Sequence, residues 1–148
     1  SLYQTLSQLI EELFKLRNQV LTLEKSESER HRKVLTDRAH STLKLLNEIS
    51  TQTKDFDARL RDEIVFYLEK RDVSEELERL DHHLKSARDF INQKSVEGHG
   101  RKLEFICQEI LREINTTGSK AQSALLGEII IQMKTTQDRL REQVANVE

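Results

Sequence analysis

Two carboxylates, Glu109 and Glu113, stand four residues apart in the stretch from Gly100 to Lys120, with Arg112 and Thr116 beside them. If that stretch is helical, the pair lies one turn apart on one face, opposite the apolar stripe Leu103, Ile106, Ile110 and Ile114. Oxygen ligands so placed suit a hard divalent cation, and Arg112 or Lys120 can contact a phosphate. Together these are the parts of metal-assisted phosphodiester cleavage. The spacing alone equally describes a solvated surface with ordinary Glu and Arg pairs. Upstream, Glu76, Arg79 and His83 fall on another helix face, with His82 turned away from it. The His83 imidazole, whose charge changes near neutral pH, can ligate a metal, contact a polyanion, relay a proton, or simply sit hydrogen-bonded at a helix boundary. His31, His40 and His99 have no ligand-type spacing to another His or Cys, so a zinc site is not supported. Neither a phosphate-cradling glycine loop, a dinucleotide fingerprint nor a nucleophile elbow occurs. Cys107 lies among Leu103, Ile106 and Ile110, where packing is the expected role.

The elements that must position these groups are helices. The chain has 148 residues, of which 34% are charged and 36% hydrophobic, with no Pro or Trp and four Gly. With no hard breaker and a majority of residues that lose little rotamer freedom in a helix, the expected class is all-α: long coiled-coil-like helices followed by a C-terminal helical module. Leu2, Leu6, Leu9, Leu13, Leu16, Val20 and Leu23 alternate spacings of four and three, a coiled-coil seam. The seam breaks across Glu24 to Arg32, which predicts a loop or a solvated length of continuous helix. A second register then runs through Leu35, Ala39, Thr42, Leu46, Ile49, Thr53, Phe56 and Leu60, continuing to Ile64 and Tyr67 or Leu68. Ser74 ahead of Glu75 and Glu76 is a helix-start signal, and the following helix should bury Leu77, Leu80, Leu84, Ala87 and Ile91. Gly98-His99-Gly100 predicts a loop. A stop or a kink is expected near Asn115-Thr116-Thr117-Gly118-Ser119, where Gly118 can close one helix and Ser119 cap the next. The last helix should bury Leu126, Ile129, Met133, Thr136, Leu140, Val144 and Val147. The expected division is an arm over residues 1–71 and a C-terminal helical domain over residues 72–148.

A net charge of -2 gives no global field for nucleic acid or acidic membranes, so any RNA site must be a local patch. The single cysteine fits a reducing cytosol, and no apolar run reaches the roughly 20 residues that span a bilayer; a cytoplasmic location without membrane contact is expected. Thin helices with paired seams and few aromatics bury limited surface alone, which predicts self-association. Because Ser1 falls inside an established heptad pattern, a further N-terminal part is also expected.

Several separated motifs occur in order: Asp72-Val73-Ser74-Glu75-Glu76-Leu77, Arg79-Leu80, His83-Leu84, Gly100-Arg101-Lys102-Leu103-Glu104-Phe105, Gln108-Glu109, Arg112-Glu113-Ile114-Asn115-Thr116, Gly118-Ser119-Lys120 and Arg141-Glu142-Gln143-Val144. Together they resemble the C-terminal domain of the YicC/YloC family of bacterial proteins, formerly labelled stress-induced and described as endoribonucleases. The resemblance covers about residues 63–148. It implies cleavage of single-strand or structured RNA assisted by Mn2+ or Mg2+ in a cytoplasmic homo-oligomer, a hexamer in the family, with other RNA-degrading enzymes as further partners. An oligomerising RNA-binding adaptor and a purely structural helical scaffold are the alternatives. Carried over by motif, Glu109, Glu113 and His83 are the catalytic candidates and Glu76, Glu109 and Glu113 the metal candidates. Arg79, Arg101, Lys102, Arg112 and Lys120 are the phosphate contacts, with Asn115, Gly118 and Ser119 as structural motif residues. The chain departs from the family pattern at Leu111, where Asn is usual, at Glu104, where Asp is usual, and at Ser123 and Leu125, where acidic residues are usual.

Overall fold

The computed structural model describes residues 1–49, 54–93, 99–121 and 123–147. Among these it contains five helices and no strand: α1 (Leu2–Ile49), α2 (Lys54–Arg71), α3 (Ser74–Asn92), α4 (His99–Lys120) and α5 (Ala124–Val144). The all-α class is as expected. The polar stretch Glu24 to Arg32 is continuous helix within α1, since Glu, Lys, Ser and Arg interrupt a seam without interrupting the backbone ladder.

The chain divides into two compact units, residues 1–22 with 73–148, and residues 23–72. The heptad pattern alone groups residues 1–71 together, whereas the start of α1 packs with the C-terminal helices. Leu6, Leu9, Ile10, Leu13, Leu16 and Val20 are buried there. Arg17 on α1 donates from Nε to the Leu77 carbonyl at 3.0 Å and lies 3.7 Å from Asp81. Arg88 on α3 reaches Glu11 at 3.5 Å and covers the Phe14 ring at 4.7 Å. Thr136 on α5 donates to Glu12 at 3.1 Å, which closes a ring of α1, α3, α4 and α5 with antiparallel neighbours. All the residues expected on the apolar faces of α3 and α4 are buried; burying each Leu or Ile stabilises by roughly 1.5–3 kcal/mol before the entropy of ordering is set against it.

Several local expectations are corrected. Val73 occupies the N-cap position of α3 without a side-chain cap, so Ser74 falls in the first turn. Gly98 lies outside the described residues, but His99 and Gly100 open α4. That helix runs through Asn115 to Lys120 without stopping. Gly118 is therefore helical, and its reason is space: a Cβ there would stand 2.9 Å from Cγ2 of Ile130 on α5. Ser119 donates to the Thr116 carbonyl within α4, and the cap of α5 is Ser123, whose hydroxyl accepts from the Leu126 N–H at 3.1 Å. On α5, Ile130 is buried where Ile129 was expected, and Gln137 is buried completely, donating from Nε2 to the Cys107 carbonyl at 3.1 Å.

The unit of residues 23–72 is a thin pair formed by the rest of α1 and by α2, which run antiparallel: Arg71 meets the Nδ1 of His31 at 3.1 Å and donates to the Tyr67 hydroxyl at 2.8 Å. Its seam follows the expected register at Leu35, Ala39, Leu46, Leu60 and Ile64, which are half-buried, and departs from it at one position, where Leu43 is buried and Thr42 exposed. Leu68 rather than Tyr67 continues the seam. Thr53 and the side chains of Ile49 and Phe56 lie outside the described residues. No helix is long and apolar enough to cross a membrane among the described residues.

Candidate active site

The antiparallel pairing of α3 with α4 brings the two sequence motifs together as three rungs. At the first, Lys120 donates from Nζ to Oε1 of Glu76 at 2.6 Å. In the second, Arg79 donates from Nε to Oε1 of Glu113 at 3.0 Å, while its other nitrogens lie 3.3 Å from Glu75 and 3.8 Å from Glu76. The third sets Nε2 of His83 4.0 Å from Oε2 of Glu109. Residues three, four and seven apart on one helix face meet their counterparts on the other because the two helices run in opposite directions.

The rungs differ in burial. The Glu76 and Glu113 side chains are 4% and 6% exposed, and each is matched to a fixed cation. Donation to Glu113 holds the Arg79 guanidinium even above its usual range, with burial opposing and the Glu113 charge reinforcing it. A carboxylate removed from water needs such a partner, since an unpaired one costs several kcal/mol. His83 and Glu109 are 22% and 27% exposed, and 4.0 Å is too long for a hydrogen bond, so neither is committed to the other. Glu113 thus turns toward α3, not outward with Arg112 as spacing alone implied. Arg112 is exposed, as is Arg101; Lys102 holds its ammonium 4.7 Å over the Phe90 ring. Asn115 and Ser119 are exposed further along α4.

Of the three carboxylates considered as metal ligands, Glu109 alone meets no lysine or arginine among the described residues. Glu76 and Glu113 would have to surrender Lys120 and Arg79, and no group of three or more His, Cys, Asp or Glu able to hold a metal occurs among the described residues. Glu109 remains open, with His83 beside it. A Mg2+ or Mn2+ site built from one carboxylate, water and substrate phosphate needs no more from the protein.

The family model described as "Endoribonuclease YicC-like, C-terminal" matches residues 23–148. The chain belongs to this family. Over 90 residues it is 32% identical to the "Probable endoribonuclease YicC" of Clostridioides difficile (strain 630), covering 61% of this chain and 30% of that protein. It is 34% identical, also over 90 residues, to the protein of the same name from Haemophilus influenzae, covering 61% of this chain and 31% of the relative. The chain spans about a third of the length of these curated relatives. Membership of the YicC-like family agrees with the motifs on α3 and α4. What those motifs concealed was the pairing: Glu75 as a third partner of Arg79, and the inward turn of Glu76 and Glu113. The only sequence signal was that Glu76 adjoins Leu77 and that Glu113 adjoins Ile114, which places both at the edge of an apolar stripe.

Proposed function

We propose that this protein is part of an endoribonuclease whose chemistry is centred on His83 and Glu109. The observation that carries the reading is the contrast along α3 and α4: two rungs are closed by salt bridges, and the third presents an imidazole and a carboxylate, partly exposed and mutually uncommitted, beside the exposed Arg112. Glu109 would hold a Mn2+ or Mg2+ ion, which supplies charge neutralisation to the scissile phosphate when bound. His83 takes the proton from the attacking hydroxyl or returns one to the departing oxygen, a role for which imidazole is suited near neutral pH. Arg112 and Arg101 hold phosphate oxygens, and their forked geometry favours two-pronged contacts. Arg79 and Lys120 act at one remove, keeping Glu113 and Glu76 in place. Self-association belongs to the same proposal and is supported by Val65, Phe66 and Tyr67, which α2 leaves exposed.

The test is cleavage of a labelled structured RNA by wild type, His83→Ala and Glu109→Gln with Mn2+, Mg2+ or EDTA. Each substitution should lower cleavage by about a hundredfold or more with the fold retained by circular dichroism. Unchanged cleavage by both variants sinks the assignment. A second reading, a noncatalytic RNA-binding adaptor, is favoured by the closure of Glu76 and Glu113; binding that persists in EDTA with no cleavage under any condition would establish it.

A further inference from the structure

A second imidazole stands beside the first on α3. Consecutive helical residues point about 100° apart, which turns His82 off the face of Glu76, Arg79 and His83. Its ring nevertheless comes back to that edge: the His82 and His83 centroids are 5.8 Å apart, with the planes at 60°. We infer that His82 is a second catalytic residue, the general acid that returns a proton to the departing oxygen while His83 takes one from the attacking hydroxyl. The inference rests on the RNA-cleavage reading and divides between two residues the proton transfers that one imidazole would otherwise perform alone.

In an in-line displacement the attacking and departing oxygens lie on opposite sides of the phosphorus. One ring held on a helix reaches one of them within the roughly 2.6–3.2 Å that proton transfer requires, so the other oxygen needs a second group. His82 is exposed, and among the described residues its ring meets that of His83 and has no hydrogen bond or ion pair. The His31 imidazole, by contrast, is engaged by Arg71 at 3.1 Å.

The charged groups around the two rings come from three helices. On α4, Glu109 lies 4.0 Å from Nε2 of His83. On α3, Arg79 precedes His83 by one turn and is tied to Glu113, while Glu78 and Lys85 stand exposed one turn before and after His82. Asp81 is engaged by Lys85 at 2.7 Å and lies 3.7 Å from Arg17 of α1, so neither cation is spent on the imidazoles.

The step balances in protons and electron pairs. The attacking hydroxyl gives its proton to His83 as its oxygen bonds to phosphorus. The bond from phosphorus to the departing oxygen breaks, and that oxygen takes the proton of the His82 imidazolium. Exchange with water then restores both rings.

The experiment compares wild type, His82→Gln and His83→Ala on two substrates with Mn2+ or Mg2+. One is a labelled structured RNA, whose departing oxygen needs a proton; the other is a uridine nucleotide esterified with para-nitrophenol, whose phenolate leaves without one. His82→Gln should lower RNA cleavage by about a hundredfold or more, and on the nitrophenyl ester the loss should shrink to under about tenfold. His83→Ala should lower both by about a hundredfold, because the attacking hydroxyl needs a base in either case. RNA cleavage by His82→Gln at the wild-type rate overturns the acid role and leaves the cleavage reading standing. Equal losses of His82→Gln on the two substrates also overturn it, and make His82 a contact for substrate binding. Absence of cleavage of both substrates by wild type overturns the acid role and the cleavage reading together.

Discussion

The first and third rungs of the α3 and α4 pair are built from the same kinds of residue, a carboxylate facing a basic group, yet they do opposite things. Glu76 and Lys120 meet at 2.6 Å with the carboxylate out of water, whereas His83 and Glu109 stand 4.0 Å apart and partly wet. Burial fixes the difference. In a low-dielectric seam a carboxylate without its cation is strongly disfavoured, so the pair is locked and serves the fold. At the edge, water pays for the charges, and the groups stay available to a ligand. Candidate catalytic residues in such a seam are therefore the ones the packing has left uncommitted.

Lys120→Met is the strongest way to test this contrast. It removes the nearer cation and leaves the buried Glu76 with only Arg79, 3.8 Å away, which should cost about 2 kcal/mol in urea unfolding. The double variant Glu76→Gln with Lys120→Met should recover part of that loss, because the uncompensated charge goes with its partner. Glu109→Gln, by comparison, should change stability by no more than about 0.5 kcal/mol. Equal losses at Lys120 and Glu109 would remove the distinction between locked and open rungs.

Much of the fold was legible before any coordinates, and for a definite reason. Leu77, Leu80, Leu84, Ala87 and Ile91, and likewise Leu103, Ile106, Cys107, Ile110 and Ile114, repeat at helical spacing, and periodicity is a property of the sequence itself. The motif residues Glu76, Arg79, His83, Glu109 and Glu113 were legible as candidates in the same way, and helix pairing brings them together. Which carboxylate meets which cation was not, since that depends on the register between two helices. Gly118 and Ser119 misled because glycine and serine in succession read as a stop. The tight crossing with Ile130 that gives Gly118 a use inside the helix involves a residue twelve positions away. The buried Gln137 had no signal at all: its partner is a backbone carbonyl on another helix.

The same crossing gives a smaller prediction. Gly118→Ala improves helix propensity by about 1 kcal/mol, but the added methyl meets the stiff Cγ2 of Ile130 at 2.9 Å, and overpacking costs about 1–3 kcal/mol. The net outcome expected in chemical unfolding is a loss of about 1 kcal/mol. Pairing the change with Ile130→Ala, which empties the space, should reverse its sign relative to the Ile130→Ala background. A stabilised Gly118→Ala would mean that α4 and α5 do not cross as closely as described.

A small effect is also expected from the peripheral ion pairs, and pH separates them from the buried rungs. Lys85 lies 2.7 Å from Asp81, and Arg17 lies 3.7 Å away on its other side. The Lys85 contact, more than the charge of Arg17, holds the Asp81 carboxyl below its usual range, with partial burial opposing. A carboxyl depressed on folding stabilises above its unfolded pKa of about 3.9. That contribution is lost as the pH falls through the lower folded value. Asp81→Asn should therefore cost at most about 1 kcal/mol at pH 7, and the gap from wild type should close as unfolding is measured toward pH 2. A gap that persists there would assign the loss to packing of Arg17 against α3 rather than to charge, and the distinction between wet and buried pairs would then have to be drawn at Asp81 rather than at His83.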